Sequence, residues 1–197
     1  MEREDWSLLS LAKRQQGVVS DEQAMAVGFT RGAIRWRLEV GEWTRVLPGV
    51  ARMFWADDTW ATRCVAAALW AGTEGALSHV TAALIHGFDV EPQPVVHLST
   101  GRDVGRLRRR GFQSHQVTLL ASSASASGLP VTTPARTVID LASMLDEAEL
   151  ERVLGLALRH RQLTQEQLHD EFAKLSRGTS GAKQLRRVFK RLVRVQP

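Results

Sequence analysis

Between residues 7 and 50 the chain carries two helix caps, three glycines at helix ends and a Pro-Gly turn, an order that fixes a short helical unit closed by a hairpin. Leu8, Leu9, Leu11 and Ala12 recur at helical spacing, and the spacing predicts a first helix that stops near Gly17. Val18 and Val19 lead into Ser20, a good N-cap. Asp21 and Glu22 suit the positive end of a helix, and Gln23 completes a capping box. This second helix ends near Gly28. Thr30 caps again after a tight connection, and Arg31 to Val40 is predicted as a third helix ending at Gly41. Two helices joined by so short a turn have helix-turn-helix spacing, and Val46-Leu47-Pro48-Gly49-Val50 closes a wing-like hairpin behind them. The unit reads as a winged helix-turn-helix, which makes double-stranded DNA the first partner to consider.

The faces of the third helix decide what it can touch. Ile34 and Leu38 share a face that should be buried, while Arg31 and Arg35 lie on another face near the helix start, where this motif makes base or phosphate contacts. Thr30, Arg31, Arg35 and Arg37 are therefore the expected contacts of this helix. Arginines on one helix are also what a plain solvated face shows. Trp36 sits either beside the groove or under a neighbouring element. In the hairpin, Trp43, Arg45 and Leu47 share one parity, which puts an arginine on the apolar face unless the strand twists or bulges. Arg45 and Arg52 are the expected wing contacts.

Length and charge extend this picture. The 197 residues suit a small winged unit at 1–55 followed by a larger α/β unit at 56–197 with a small sheet, an α+β fold that is mostly helical. The single cysteine, Cys64, lies in an Ala-rich apolar segment, reads as a core residue and excludes an internal disulfide, as in a reducing compartment. No apolar run is long enough for a signal peptide or a membrane span, so the expected location is cytoplasmic. The net charge of +5 is unevenly placed. Acidic and basic residues roughly cancel up to Trp60. The excess lies in Arg102, Arg106, Arg108, Arg109 and Arg110, and in Arg177, Lys183, Arg186, Arg187, Lys190, Arg191 and Arg194; both groups suit phosphate neutralisation, and Arg108, Arg109 and Arg110 are expected DNA contacts. Leu185, Val188, Phe189 and Leu192 follow the helical rule and leave the C-terminal basic residues on the other side. Phosphate contact, chiefly by Lys183, Arg187 and Lys190, a plain solvated face, anchoring of a following domain, and binding to an anionic membrane surface are the readings of this helix.

Between these regions helix and strand signals alternate. Asp57-Asp58 opens an Ala-rich helix and Ser78 caps a shorter one that ends at Gly87. Residues 95–99 and 111–117 read as strands flanking the Arg-rich turn, with Arg108 to Arg110 near the edge of the sheet they form. Residues 121–128 read as a Ser/Ala loop. Thr133-Pro134 then caps a helix on which Arg136 and Asp140 form a structural ion pair, and Asp146 with Glu149 and Thr164 with Gln167 begin two more helices. The six histidines include no His-Glu-x-x-His, a second cysteine for a zinc site is missing, and no nucleophile elbow, phosphate-binding loop or restriction-nuclease motif occurs. No enzyme, metal or cofactor is expected. His79 and His86 are expected in capping or buried polar roles.

The segments Gly17-Val18-Val19-Ser20, Gln23-Ala24, Gly28-Phe29-Thr30-Arg31, Ala33-Ile34-Arg35 and Trp43-Thr44-Arg45-Val46-Leu47-Pro48-Gly49-Val50 resemble the N-terminal domain of the AbiEi family of bacterial antitoxins. Leu77-Ser78-His79, Leu84-Ile85-His86-Gly87 and the run from Gly128 to Ala142 are similar to the region C-terminal to that domain in actinobacterial members. The resemblance implies a repressor of its own toxin–antitoxin operon, with the third helix and wing on inverted repeats of the promoter. It also implies a type IV system in which the antitoxin does not bind the toxin, and a monomer or weak homodimer that acts cooperatively on DNA. Two departures stand out: Ala51 follows the wing where relatives commonly have Tyr, and similar chains often continue into a nuclease domain resembling the very-short-patch-repair endonuclease. Alternative readings are the targeting module of such a nuclease, and a protein-interaction adaptor.

Overall fold

A computed structural model describes residues 3–101, 108–117, 123–174 and 180–195 of the chain. The caps near the N-terminus act as the sequence implies. Helix α1 (Arg3–Arg14) ends ahead of Gly17, strand β1 (Val18–Ser20) follows, and Ser20 begins α2 (Asp21–Ala26) with both halves of a capping box against Gln23, at 3.1 and 3.0 Å. Thr30 caps α3 (Arg31–Glu39) by accepting from the Ala33 amide. The wing is β2 (Trp43–Leu47) and β3 (Val50–Met53), turned at Gly49, and β1 adds to β3 to give a sheet of order β1-β3-β2. Gly17 is required where it stands. Its φ is +79°, and a Cβ there would lie 2.2 Å from the Ala56 Cβ, so α1 could not turn into β1 with any side chain in place.

The wing sheet is covered on both faces, which resolves the parity of its strands. Trp43, Ala51, Met53 and Val19 face a core shared with Leu8, Ala12, Ala24 and Ile34 of the three helices and with Phe29 of the turn between α2 and α3. The pairing of β2 with β3 shifts between Arg45 and Leu47, so Leu47 pairs with Val50 and turns to the opposite face. There Val18, Leu47 and Val50 join a second core formed with α4 (Trp60–Ala71) and the larger sheet. Ala66, Ala67 and Ala71 of α4 are buried, and their small size lets one helix lie close against both sheets.

The larger sheet has the order β6-β7-β5-β4-β9-β8, from β4 (Gly75–Leu77), β5 (Val96–Thr100), β6 (Arg108–Arg109), β7 (Phe112–Gln116), β8 (Ser123–Ala126) and β9 (Leu129–Thr132). The structure corrects three expectations in this region. Residues 123–126, read as part of a Ser/Ala loop, are the edge strand β8, paired antiparallel to β9 because serine and alanine suffice where one flank is solvent. Thr59, not Asp57-Asp58, caps α4 through a box with Thr62, while Asp58 instead pairs with Arg63. Ser78 precedes α5 (His79–Ile85) without a side-chain cap, its hydroxyl being held by His79 Nδ1 at 2.9 Å. The two strands flanking the Arg-rich turn do pair, in parallel, as β5 and β7.

Helices α6 (Pro134–Leu141), α7 (Glu147–Arg159), α8 (Gln165–Ala173) and α9 (Ala182–Val195) enclose a third core with α5, in which Ile139, Leu150, Leu154, Leu168 and Leu185 are buried. Thr133, Asp146 and Thr164 cap α6, α7 and α8 as read from the sequence. Among the described residues no helix is long and apolar enough to cross a membrane.

Candidate nucleic-acid interface

The third helix offers only part of its charge to the outside. Arg31 and Arg35 are exposed at its N-terminal end, and with Ile34 and Leu38 they line a shallow groove of about 310 Å³ closed by Asp21, Met25 and Arg45. Arg35 stands 3.8 Å from Glu39 with 78% of its side chain open to water, a distance and exposure at which the pair holds it weakly. Trp36, undecided in the sequence, is 53% exposed on the same helix. Thr30 spends its hydroxyl on the helix cap, at 3.1 Å from the Ala33 amide.

Arg37 departs from its expected role. Its Nη1 lies 2.6 Å from Glu42 Oε2, its side chain is 22% exposed, and its guanidinium carbon stands 5.0 Å from the Phe29 ring centre and 5.9 Å from that of Trp43. Phe29 and Trp43 themselves pack at 5.8 Å. A cation held over these rings and an acid fastens α3 to the wing. Arg45 is likewise half-tied: its Nη1 donates to Asp21 Oδ1 at 2.8 Å, linking the wing to the first turn of α2.

The Arg-rich turn of the larger sheet comes to the wing. Arg109 Nη2 donates to the backbone oxygen of Arg45 at 2.8 Å, satisfying an acceptor on the open side of edge strand β2. Beside this contact is a cleft of about 610 Å³ where Arg45, Arg52, Arg63, Arg109 and Arg110 meet a single carboxylate, Asp58, which Arg63 holds below the usual carboxylate range. Arg52 Nη1 donates to the Ala56 oxygen. Arg45 lines both this cleft and the groove of α3, so the two adjoin at that side chain. Arg102 and Arg106, the side chain of Arg108, and Arg177 and the side chain of Arg194 lie outside the described residues.

The C-terminal basic helix is placed differently. Leu185 and Val188 bury against the third core and Phe189 meets Phe172 at 6.3 Å, which turns the basic face toward α7. Glu147 of α7 takes Arg187 at 2.8 Å and Arg191 at 2.7 Å, and Glu151 takes Arg191 at 2.8 Å. The two arginines hold the Glu147 carboxyl below its ordinary range. Lys183 and Lys190 are exposed. Read along the chain the segment has no acid; in the fold the acids come from α7.

Sequence reasoning missed the joint position of three histidines. His79 on α5, His97 on β5 and His115 on β7 stack, with ring centres 3.7 Å apart for His79 and His115 and 5.3 Å apart for His97 and His115. His97 Nε2 faces Gln93 Oε1 at 3.3 Å and its Nδ1 faces His115 Nε2 at 3.0 Å. With the Gln93 oxygen accepting, His97 carries its proton on Nε2 and His115 donates to His97 Nδ1, an assignment that a second proton on His97 would break. Burial, then the neighbouring rings, push His79 down to about 2 and His115 to about 4, and burial lowers His97. Among the described residues no group of three His, Cys, Asp or Glu side chains could hold a metal ion. The Arg136 and Asp140 pair is present at 2.8 Å, as expected. Burial pushes the Asp140 carboxyl up to about 6, opposed by Arg136. Cys64, buried in α4, is raised to about 12 and is a core thiol.

A winged helix-turn-helix braced by an α+β unit belongs to a class of transcriptional regulators, and comparison with known proteins narrows the class. The family model described as "Transcriptional regulator, AbiEi antitoxin" matches residues 7–50, and the model for the AbiEi antitoxin C-terminal domain matches residues 74–190. The second match alone spans more than half of the chain, which belongs to the AbiEi antitoxin family. Among solved structures, the RV2827C protein of Mycobacterium tuberculosis is similar in fold, with a TM-score of 0.58 at 17% identity over 94% of this chain and 75% of that one. No curated protein matches the chain.

Proposed function

We propose that this antitoxin-type regulator is a sequence-specific DNA-binding repressor of its own toxin–antitoxin promoter. Residues 1–55 read the site, residues 56–197 brace the reading unit, and neither enzymatic chemistry nor toxin contact is involved. The observation that carries this reading is the sorting of arginines on α3: Arg31 and Arg35 point out over a groove, whereas Arg37 is turned in to fasten the helix. Outward arginines at the start of a recognition helix suit guanine edges and phosphates. The cleft arginines Arg52, Arg109 and Arg110 continue the basic surface along the wing and supply phosphate contacts that position the duplex without reading it. Arg45 contributes there less than the sequence suggests, because Asp21 holds it.

The test is fluorescence anisotropy with the duplex immediately upstream of the gene against a scrambled duplex of equal length, at two salt concentrations. Preference for the native duplex that persists at the higher salt is the expected result. Equal binding to both duplexes that collapses with salt would reduce the protein to a non-specific polycation, and the absence of binding would favour the adaptor reading.

A further inference from the structure

A second kind of cavity lies beside α4, lined by none of the candidate DNA contacts. It measures about 1010 Å³, at the upper end of the range for small-molecule sites. Its walls come from five parts of the chain: the end of α1, one side of α4, the end of α5, the segment Pro92-Gln93-Pro94, and the β8–β9 turn. The walls are mostly apolar, with Ala68 and Leu69 of α4, Ile85 of α5 and Leu129 of β9 facing inward. Trp60 stands at the rim, 37% exposed. Among the described residues that line it, Arg14 is the one that carries charge, and Gln15, Gln16 and Gln93 supply the amides.

This composition selects a ligand class. An apolar enclosure of this size surrenders contacts that a fitted hydrophobic body would recover. Among the described lining residues the one arginine, with no carboxylate beside it, favours an anionic head and disfavours a cation. A planar indole at the rim suits a ring or an extended chain lying across it. We infer that the cavity is a binding site for a small amphipathic organic anion, with an aromatic or aliphatic body against α4 and α5 and a carboxylate or sulfonate toward Arg14. The site does not depend on the DNA-binding reading, because it shares no residue with the groove of α3 and none of the arginines of the cleft, touching that cleft at Pro94.

The test is titration of the full chain with 1-anilinonaphthalene-8-sulfonate, followed by displacement with decanoate and with decanol. Saturable binding of one dye per folded chain is expected, with decanoate displacing it at roughly a fivefold lower concentration than decanol. Filling the cavity with Leu129→Trp, or with Ala68→Trp should the first variant fail to fold, should weaken the dye by about tenfold or more. Arg14→Gln should weaken it about threefold and remove the advantage of decanoate. Absence of saturable binding would overturn the proposal. Dye affinity that ignores both the filling variant and Arg14→Gln would overturn it equally, since the dye would then sit elsewhere, and equal displacement by decanol would overturn the anionic head.

Discussion

Helices α3 and α9 are both arginine-bearing, and the fold uses their charge in opposite ways. On α3, one arginine is turned inward and two are left facing outward, beside a groove. On α9 two arginines are absorbed by Glu147 and Glu151 of a neighbouring helix, although the α9 sequence itself holds no acid. Local charge density therefore counts on α9 two arginines that already face carboxylates of α7, whereas on α3 Arg31 and Arg35 stand exposed. What matters is which carboxylates the tertiary fold brings within reach.

That contrast can be broken at several points. The largest effect is expected from Arg31→Ala combined with Arg35→Ala. At about 1–3 kcal/mol for each base-edge contact, affinity for the native upstream duplex should fall roughly a hundredfold. Thermal melting should stay unchanged; undiminished binding by this double variant would remove α3 as the reading element. Acid separates the regions next, because every histidine lies beyond residue 78, outside the winged unit. The stacked histidines are lowered from 6.5 in the fold, so the unfolded chain binds more protons below that value, and stability falls as pH drops from 7 toward 4. Asp140, raised to about 6, works the other way: its share is present at low pH and is lost as pH rises through 6. Three histidines outweigh one carboxyl, and urea unfolding should lose about 2 kcal/mol between pH 7 and 5. His115→Gln should flatten that slope, and a flat profile in the parent protein would contradict the stack.

Smaller effects sharpen the comparison. Arg37→Ala should cost about 1–2 kcal/mol of stability in urea while the folded fraction keeps its operator affinity within about threefold. Loss of affinity at unchanged stability would mean that Arg37 reads DNA after all. The smallest change expected is from Glu147→Gln, which releases Arg187 and Arg191. Affinity for a scrambled duplex at low salt should rise about threefold and return to the parent value at high salt. Should Lys183→Ala with Lys190→Ala weaken operator binding tenfold or more, α9 would have to be counted as part of the interface.

Much of the fold was legible because local chemistry and tertiary structure agree in the N-terminal unit. Ser20, Gln23 and Thr30 satisfy helix amides wherever the chain goes, and the Pro-Gly turn sets the wing. Even the misplaced parity of Arg45 announced a shift in the strand, which the structure locates between Arg45 and Leu47. Strands β4, β8 and β9 were illegible since they are short: β4 is held by β5 and β9, distant in sequence, and β8 is a Ser/Ala segment of low strand propensity paired with the neighbouring β9. The site divides along the same line. Exposure of Arg31 and Arg35 follows from helix periodicity alone. The capture of Arg37 by Glu42 and Phe29, of Arg45 by Asp21, and of Arg187 by Glu147 depends on side chains meeting across the fold, as does the assembly of the histidines from α5, β5 and β7.

The double covering of the wing sheet carries one further consequence. Val18, Leu47 and Val50 rest on α4, so a fragment cut after residue 55 would carry three large aliphatic side chains stripped of their cover. Such a fragment would tend to self-associate. The reading head is thus not a cassette that can be lifted out and grafted onto another scaffold: its transplant requires α4, or a substitute surface as flat and as rich in small residues, to travel with it.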